Sequence, residues 1–304
     1  MKKPFTKKGM LICFTDWQVN NAFKIYADRF AKHGISLEPL KIDEYVLCID
    51  NGKPNIDVEK YDFCVQLVKD QYISALFEKQ NKPCFNGYKE MTFSDDKFLT
   101  FVKLSENGIP LPKTLSGNTD FDGLQLADYK RSKEFRRKVE SALGYPFVAK
   151  PTYGYGGKGV CIINNRTEFD RILDESGQAP YLFQEYIPDN SGTDIRCMVI
   201  GYKVAFSIMR KNPNSFVSNI SSGGNAVKHE ATKEQMQIAI KVAKILGLTH
   251  CAVDFFNTEN GKPLLCEVNA NAGGIEKNEQ ITGINQAEKY VGYIVKSVYA
   301  KLER

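Results

Sequence analysis

The run Ala252–Val–Asp254–Phe–Phe–Asn257, followed across a turn by Leu264–Leu–Cys–Glu267–Val–Asn269, decides how this chain is read. Both halves are β-branched and aromatic, and the turn-rich Thr258–Glu–Asn–Gly–Lys–Pro263 joins them as a hairpin. Side chains alternate faces along a strand, so Glu267 and Asn269 point the same way. Antiparallel pairing can bring Asp254 onto that face. Two carboxylates and an amide oxygen on a rigid sheet then form a nest for a hard cation. Mg²⁺ takes oxygen ligands at roughly 2.0–2.1 Å and usually combines one or two carboxylates with nucleotide phosphates. The plain alternative is a sheet edge carrying solvated acids.

Outward from this hairpin, composition narrows the class. The chain has 304 residues, 42% hydrophobic and 25% charged, which suits a globular protein with two or three subdomains. Net charge is a mild +5. The basic run Lys130–Arg131–Ser–Lys133–Glu–Phe–Arg136–Arg137–Lys138 sits in a helical pattern with no aromatic interleaving, which fits a solvated helix face rather than a nucleic-acid surface. Eight cysteines are scattered without a Cys-x-x-Cys, beside only three histidines. Cys161, Cys251 and Cys266 fall inside apolar strands, as small hydrophobes do. That speaks against a zinc site or a disulfide framework and for a reducing cytoplasm. No apolar segment reaches membrane-spanning length, and Met10–Leu–Ile–Cys–Phe14 is too short for a signal h-region.

Residues 10–90 alternate strands and helices: strand Met10–Phe14, helix Asn21–Lys32, strand Asp62–Val68, helix Ser74–Lys79 and a strand in Lys82–Gly87. This predicts a small open α/β unit. A helix is expected from Ser94 as N-cap, through Asp95 and Asp96, to Asn107–Gly108. Extended Ile109–Pro112 and a charged helix near 127–143 follow. Strands are then predicted at Phe147–Lys150, Val160–Asn164, Leu182–Ile187, Ile195–Ile200 and Val204–Arg210, with helices at Lys233–Leu246 and Gln286–Leu302.

Gly154–Tyr–Gly156–Gly157–Lys158–Gly159 formally matches the dinucleotide fingerprint, but a strand-like Val160–Ile163 follows where that motif needs a helix. A glycine-rich hairpin can instead lay backbone amides over phosphates, because glycines adopt positive φ and allow close approach. Lys150 lies in the apolar strand Val148–Ala149–Lys150–Pro151, where burial demands an anionic partner. Lys97 opens onto a helix first turn beside Asp95 and Asp96, a setting that an exposed helix lysine also explains. Leu182–Phe–Gln184–Glu185–Tyr186–Ile187–Pro188 can offer backbone groups to an adenine edge between apolar walls. Asp194–Ile–Arg196, Arg210, Asn219 and Gly223–Gly224 complete the chemistry-bearing set. Arginines on strands usually pair with sheet carboxylates; one near the metal acids would stabilise a transferring phosphoryl group.

In that order, from Asp96–Lys97 to Glu267–Val–Asn269, these pieces resemble the ATP-grasp ligases, closest to the RimK-like branch of α-L-glutamate ligases. The resemblance covers about residues 86–295. It implies an α/β (α+β) ATP-grasp fold: an N-terminal α/β domain at 1–92, a β-rich lid subdomain at 93–186 and a mixed-sheet catalytic subdomain at 187–304. It also implies that Lys97 and Lys150 hold the α/β-phosphates and that the 154–159 loop, with Gly154, Gly156, Gly157, Lys158 and Gly159, closes over them. Gln184, Glu185, Tyr186 and Ile187 would bind adenine, and Asp194 the ribose. Arg210 and Asn219 would stand by the γ-phosphate and an acyl phosphate. Asp254, Glu267 and Asn269 would hold two Mg²⁺, with Mn²⁺ an alternative. The implied reaction joins a carboxylate to an amine through an acyl phosphate, releasing ADP and phosphate, in a cytoplasmic enzyme. A phosphotransferase on the same fold, or a nucleotide-binding module without turnover, are the competing readings. Oligomeric state stays open.

Two departures bear on the substrate. Relatives of this branch commonly carry Phe-Arg-x-Asn and an arginine before Gly-Gly; here the stretches read Phe216–Val217–Ser218–Asn219 and Ser221–Ser222–Gly223. The Ser-Pro-Gly usual after the metal asparagine is replaced by Asn271–Ala272–Gly273. Glutamate as the amine is therefore not implied.

Overall fold

The computed structural model describes residues 6–13, 16, 18–41, 44–117, 132–177, 179–188, 192–256, 258 and 261–300. Phe14, Lys130, Arg131, Asn257, Glu259, Asn260 and Leu302, which the sequence reading had placed in elements or turns, lie outside the described residues.

The strands, in chain order, are β1 (Lys7–Cys13), β2 (Ile35–Lys41), β3 (Ile49–Asp50), β4 (Lys53–Pro54), β5 (Phe63–Gln66), β6 (Cys84–Phe85), β7 (Thr114–Ser116), β8 (Phe147–Pro151), β9 (Cys161–Ile163), β10 (Tyr181–Glu185), β11 (Thr193–Ile200), β12 (Lys203–Lys211), β13 (Asn225–Lys228), β14 (His250–Phe256) and β15 (Leu264–Ala270). They make a parallel sheet in the order β2-β1-β5-β6, an antiparallel sheet β7-β10-β8-β9, an antiparallel sheet β13-β12-β11-β14-β15, and the small β3-β4 hairpin. The expected open α/β unit, β-rich middle and C-terminal sheet are all present.

Alternation along β11 and β14 gives the third sheet two different faces. Ile195, Cys197, Val199, Cys251, Val253 and Phe255 pack with Val242, Ala243 and Leu246 of the helix Lys233–Leu246. That helix begins on a capping box, Thr232 with Gln235, and ends on Gly247 at φ +73. On the opposite face, Met198, Ile200, Phe206, Ile208 and Ala252 share a core with Tyr290, Val291 and Ile294 of the C-terminal helix Gln286–Ala300 and with Leu11 and Phe30 of the N-terminal unit. Further along the same face come the charged residues Asp194, Arg196, Arg210 and Asp254. One sheet face is therefore apolar at one end and ionic at the other.

The expected helix start at Ser94 is corrected. Two helices, Tyr88–Asp95 and Lys97–Leu104, meet at Asp96, whose extended backbone and carboxylate form the cap. Asp96 Oδ1 accepts the amides of Phe98 and Leu99, both at 2.8 Å. Ser94 sits inside the first helix, its hydroxyl donating back to Met91 O at 3.2 Å. Serine and aspartate cap about equally well, so the choice falls to the tertiary path, in which the Lys97 amide donates to Thr152 O. The second helix puts Phe101 and Leu104 into the third sheet's core, whereas the lid strands run from Thr114 to Glu185. Strand ends are also trimmed: Asp62–Val68 shortens to β5 and Leu182–Ile187 stops at Glu185.

His250, at the start of β14, is buried and stacked on Tyr290 with ring centroids 4.4 Å apart. Gln286 settles its tautomer. Its Oε1 accepts from Asn278, and its amide nitrogen donates to Ala272 O and to His250 Nε2 at 2.9 Å. His250 Nε2 is thus an acceptor and the ring is neutral. Burial lowers its pKa from 6.5 to about 4. Between those values the unfolded chain binds a proton that the fold refuses, so stability is full above pH 6.5 and falls as pH drops toward 4. We expect a loss of about 1.4 kcal/mol per unit in the pH 5–6 window. Urea unfolding of wild type and His250→Leu checks it: the variant's stability should change with about one proton fewer, and equal slopes would count against a buried neutral imidazole.

Candidate active site

A cleft lies between the lid sheet and the ionic end of the third sheet. Lys97, Lys150, Gly154, Gly157, Lys158, Gln184, Glu185, Tyr186, Ile187, Asp194, Arg210, Asn219 and Glu267 all line it. Asp254 lies beneath, fully buried, and Asn269 stands beside Glu267. Gly156 and Gly159 are in the loop but not on the wall.

Strand register assembles the charges. Arg210 on β12 opposes Asp194 on β11, Arg196 on β11 opposes Asp254 on β14, and Asp254 opposes Glu267 on β15. Arg196 grips Asp254 with two bonds, Nε to Oδ1 at 2.8 Å and an NH2 nitrogen to Oδ2 at 2.7 Å. Arg210 is shared: Nε donates to Asp194 Oδ1 at 2.7 Å, and one terminal nitrogen reaches both Asp194 Oδ2 and Asp254 Oδ2, the latter at 2.9 Å. Burial pushes the Asp254 carboxyl up, but the two guanidiniums together outweigh it and hold it below the usual range. For Asp194 burial wins over Arg210, the neighbouring Asp254 charge adds to it, and the carboxyl is raised.

This geometry changes what two residues have to offer. Asp194 was expected at a ribose, yet Arg210 and Ser218 occupy three of its acceptor directions, Ser218 Oγ at 2.5 Å. One lone-pair direction on Oδ1 remains for a sugar hydroxyl. Arg210 meets the cleft as a guanidinium already neutralised by two carboxylates.

Two acids and an amide make a donor set that fits a hard divalent cation, with Glu267 at the cleft and Asp254 buried beneath it, its oxygens already accepting from Arg196 and Arg210. Glu267 is partly exposed, its Oε1 is 3.4 Å from Lys97 Nζ, and Asn269 Nδ2 faces Glu267 Oε2 at 3.2 Å and Asp254 Oδ2 at 3.4 Å. An amide flip, which the hydrogen-bond network alone decides, turns the Asn269 oxygen to the same point. Among the described residues no cluster of three His, Cys, Asp or Glu side chains offers a metal site; this one is two acids and an amide.

The glycine loop is docked. Gly154, Gly156, Gly157 and Gly159 all have positive φ, from +72 to +129. Lys97 Nζ donates to Gly154 O at 2.7 Å, and Ser222 Oγ to Gly156 O at 3.1 Å. β9 follows and pairs back on β8, as the sequence reading required. Lys150 donates to Gln184 Oε1 at 2.6 Å and lies over the Phe256 ring. Gln184 in turn donates to Thr114 Oγ1, so its side chain supports Lys150 and only the strand's other groups remain free for a base.

Sequence reasoning missed Ser218 and the apolar walls Val148, Val160, Phe216 and Phe256, and left Arg196 without a role. Arg196 was readable, since it lies two residues from Asp194 and so shares its face.

Residues 94–294 match the family described as RimK-like ATP-grasp domain. The chain belongs to that family. It is 33% identical over 225 residues to a probable α-L-glutamate ligase of Maridesulfovibrio salexigens, covering 73% of this chain and 70% of that protein. Over 182 residues it is 35% identical to human N-acetylaspartylglutamate synthase A, which is 59% of this chain but only 44% of the length of that relative. Its fold matches a RimK domain ATP-grasp protein from Sphaerobacter thermophilus, with TM-score 0.70, 16% identity and coverage of 94% and 98%. It also matches Bacillus anthracis D-alanine–D-alanine ligase complexed with ATP, with TM-score 0.67, 17% identity and coverage of 98% and 100%. The fold is ATP-grasp, and membership implies use of ATP and a divalent metal ion. No described helix is long and apolar enough to cross a membrane.

The loop's docking can be tested at Gly157, where an added Cβ would lie 2.9 Å from Asn219 Oδ1 and 3.3 Å from Val217 Cβ, at φ +74. Left-handed backbone costs other residues about 1–2 kcal/mol. Gly157→Ala should therefore raise KM for ATP about tenfold, with the unfolding midpoint near wild type because the loop is exposed. An unchanged KM would mean that nucleotide does not use this loop conformation.

Proposed function

We propose that the chain is an ADP-forming carboxylate–amine ligase. The observation that carries this is one cleft lined by Lys97, Lys150, Lys158 and Glu267, with Asp254 buried beneath it and Asn269 beside Glu267, in a chain of the RimK-like family. The relatives named above are ligases or synthases, and none favours the phosphotransferase or binding-only readings.

On this reading Lys97 and Lys150 hold the α/β-phosphates, the glycine loop covers them, and Gln184 to Ile187 receive the adenine. Asp254, Glu267 and Asn269 hold two Mg²⁺, which supply charge neutralisation for the phosphates. The substrate carboxylate attacks the γ-phosphorus, the bond to the β-phosphate breaks, and ADP leaves. An amine then attacks the acyl carbon of the acyl phosphate, losing a proton as phosphate departs. Little covalent chemistry falls to the protein in the first step; positioning and charge carry it. Arg210, held in place by Asp194 and Asp254, presents a preorganised guanidinium donor on the cleft wall beside the transferring group. The docked loop excludes water that would hydrolyse the acyl phosphate.

A screen of ATP-dependent phosphate release over amino acids and short peptides, with mass spectrometry of products, tests the reading. ADP and an amide should appear together; stoichiometric AMP and pyrophosphate would overturn it. Glu267→Gln keeps shape, removes one metal charge, and should abolish turnover in folded protein. Near wild-type activity at low Mg²⁺ would take Glu267 out of the site.

The amine is the open half. Val217 and Ser222 stand where acidic-substrate ligases of this branch carry cations, and Ser222 is used on the loop. Among the described cleft-lining residues the cations are Lys97 and Lys150, assigned to the phosphates, Lys158 of the loop that covers them, and Arg210, which two carboxylates already neutralise. A bidentate arginine–carboxylate contact contributes on the order of 1.5–3 kcal/mol. Its absence removes roughly 10- to 150-fold of discrimination. We expect kcat/KM for glutamate to be no better than for glutamine or alanine with the same acceptor. A glutamate preference above about 100-fold would show that another cation, such as Lys211 or Lys228, reads the side chain.

A further inference from the structure

A pair of amide side chains, Asn86 buried and Asn271 partly buried, joins the N-terminal sheet to the residues just past the strand that carries Glu267 and Asn269. Asn86, just past β6, is 1% exposed. Its Nδ2 donates to His250 O at 2.8 Å and to Asn271 Oδ1 at 3.0 Å. Its Oδ1 accepts from the backbone amide and the hydroxyl of Thr249 at 2.8 and 2.9 Å. Its backbone carbonyl accepts Gln66 Nε2 at 3.3 Å. Asn271 completes the tie: Nδ2 donates to Val68 O at 3.2 Å, and its backbone amide to His250 O at 3.1 Å, at a φ of +52.

Four chain segments thus meet on two side chains: the ends of β5 and β6, the start of β14 and the end of β15. Open α/β sheets bind ligands beyond the carboxyl ends of their parallel strands, which is where Val68 and Asn86 sit. Asn271 is two residues past Asn269 on the same stretch of chain. The strand ends of the N-terminal sheet are thus tied by two hydrogen bonds to the residue two positions after Asn269.

We propose that Asn86 and Asn271 are positioning residues for metal binding and transfer, locking β15 to the strand ends of the N-terminal sheet. This rests on the metal role assigned above to Glu267 and Asn269. Neither asparagine touches the reacting groups; each acts through β15. A purely structural tie would lower stability and leave the metal dependence of the folded protein alone. A positioning role moves metal affinity at constant nucleotide affinity.

Asn271→Gly separates the two, because glycine keeps the positive φ and deletes only the amide. Three quantities are read on wild type and variant: Mn²⁺ affinity by calorimetry with a non-hydrolysable ATP analogue present, affinity for that analogue without metal, and kcat at saturating Mg²⁺. Outer-sphere partners of metal ligands typically carry roughly 10- to 100-fold in metal affinity or activity. The expected result is Mn²⁺ binding weakened into that range, with metal-free analogue affinity within about twofold, far less than the tenfold that 1.4 kcal/mol gives. Folded variant with wild-type Mn²⁺ affinity and wild-type kcat overturns the proposal. Should Asn271→Gly not fold, Asn271→Asp takes its place. It keeps the acceptor facing Asn86, turns an oxygen onto the Val68 carbonyl, and has the same two outcomes. If wild type binds Mn²⁺ with the analogue but forms no amide with any amine, the ligase reading fails while the Mn²⁺ comparison still decides this one.

Discussion

The rest of the site depends on one shared guanidinium. Arg210 reaches Asp194 on the neighbouring strand and Asp254 one strand further, while Arg196 holds Asp254 from its other side. Two positive and two negative groups make the cluster neutral, which is what allows it to sit on a buried sheet face. Desolvating such groups costs several kcal/mol each, and the hydrogen bonds must recover it. Removing one partner leaves a buried charge alone, a loss of about 3–5 kcal/mol. The cluster therefore constrains register more than it adds stability. A one-residue slip of β12 or β14 would turn Arg210 or Asp254 into the apolar core on the other face. With the slip forbidden, pairing with β14 puts Glu267 and Asn269 on the sheet face that carries Asp254.

A second constraint acts across the cleft. Lys97 is the first residue of its helix, and its amide donates to Thr152 O while its ammonium lies between Gly154 O and Glu267. One side chain thus touches the lid and the acid group at once. Asp96 makes this possible, because its cap ends the preceding helix and aims the new one at the lid. On the proposed phosphate role of Lys97, incoming phosphates would compete with Gly154 O for that ammonium, which would couple nucleotide binding to lid position through a single cation.

Much of this was legible because it is local. The glycine loop, the strand after it, the Lys233–Leu246 helix with its cap, and the β14–β15 hairpin each carry their signal within a short window. The register of β11 against β12 and β14 does not. Arg196 and Asp194 could be placed on one face by counting, but which carboxylate each arginine meets depends on pairings 16 to 58 residues apart. The Ser94 cap failed for a different reason. Both Ser94 and Asp96 are good caps on propensity, and only the tertiary path, which sends Lys97 toward Thr152, selects the second. Ser218 was invisible for the same cause: a loop serine shows nothing until a buried carboxylate 24 residues away needs a donor.

The same distinction separates the nucleotide half of the site from the acceptor half. On the proposed reading, phosphates and adenine would meet backbone amides, strand edges and lysines whose positions follow from the lid and hairpin alone. On the same reading the carboxylate and amine would be met where the N-terminal strand ends face β15, a boundary made by Asn86, Val68 and Asn271 across as many as 203 residues of sequence. Positions there are not set by any short-range preference. They are set by amide hydrogen bonds that tolerate few substitutions of shape, because every donor and acceptor on Asn86 is already matched. A chain that keeps the lid and acid group but changes the residues after Asn269 can therefore retain ATP chemistry while presenting a different wall to its substrates. In this chain that stretch reads Asn271–Ala272–Gly273.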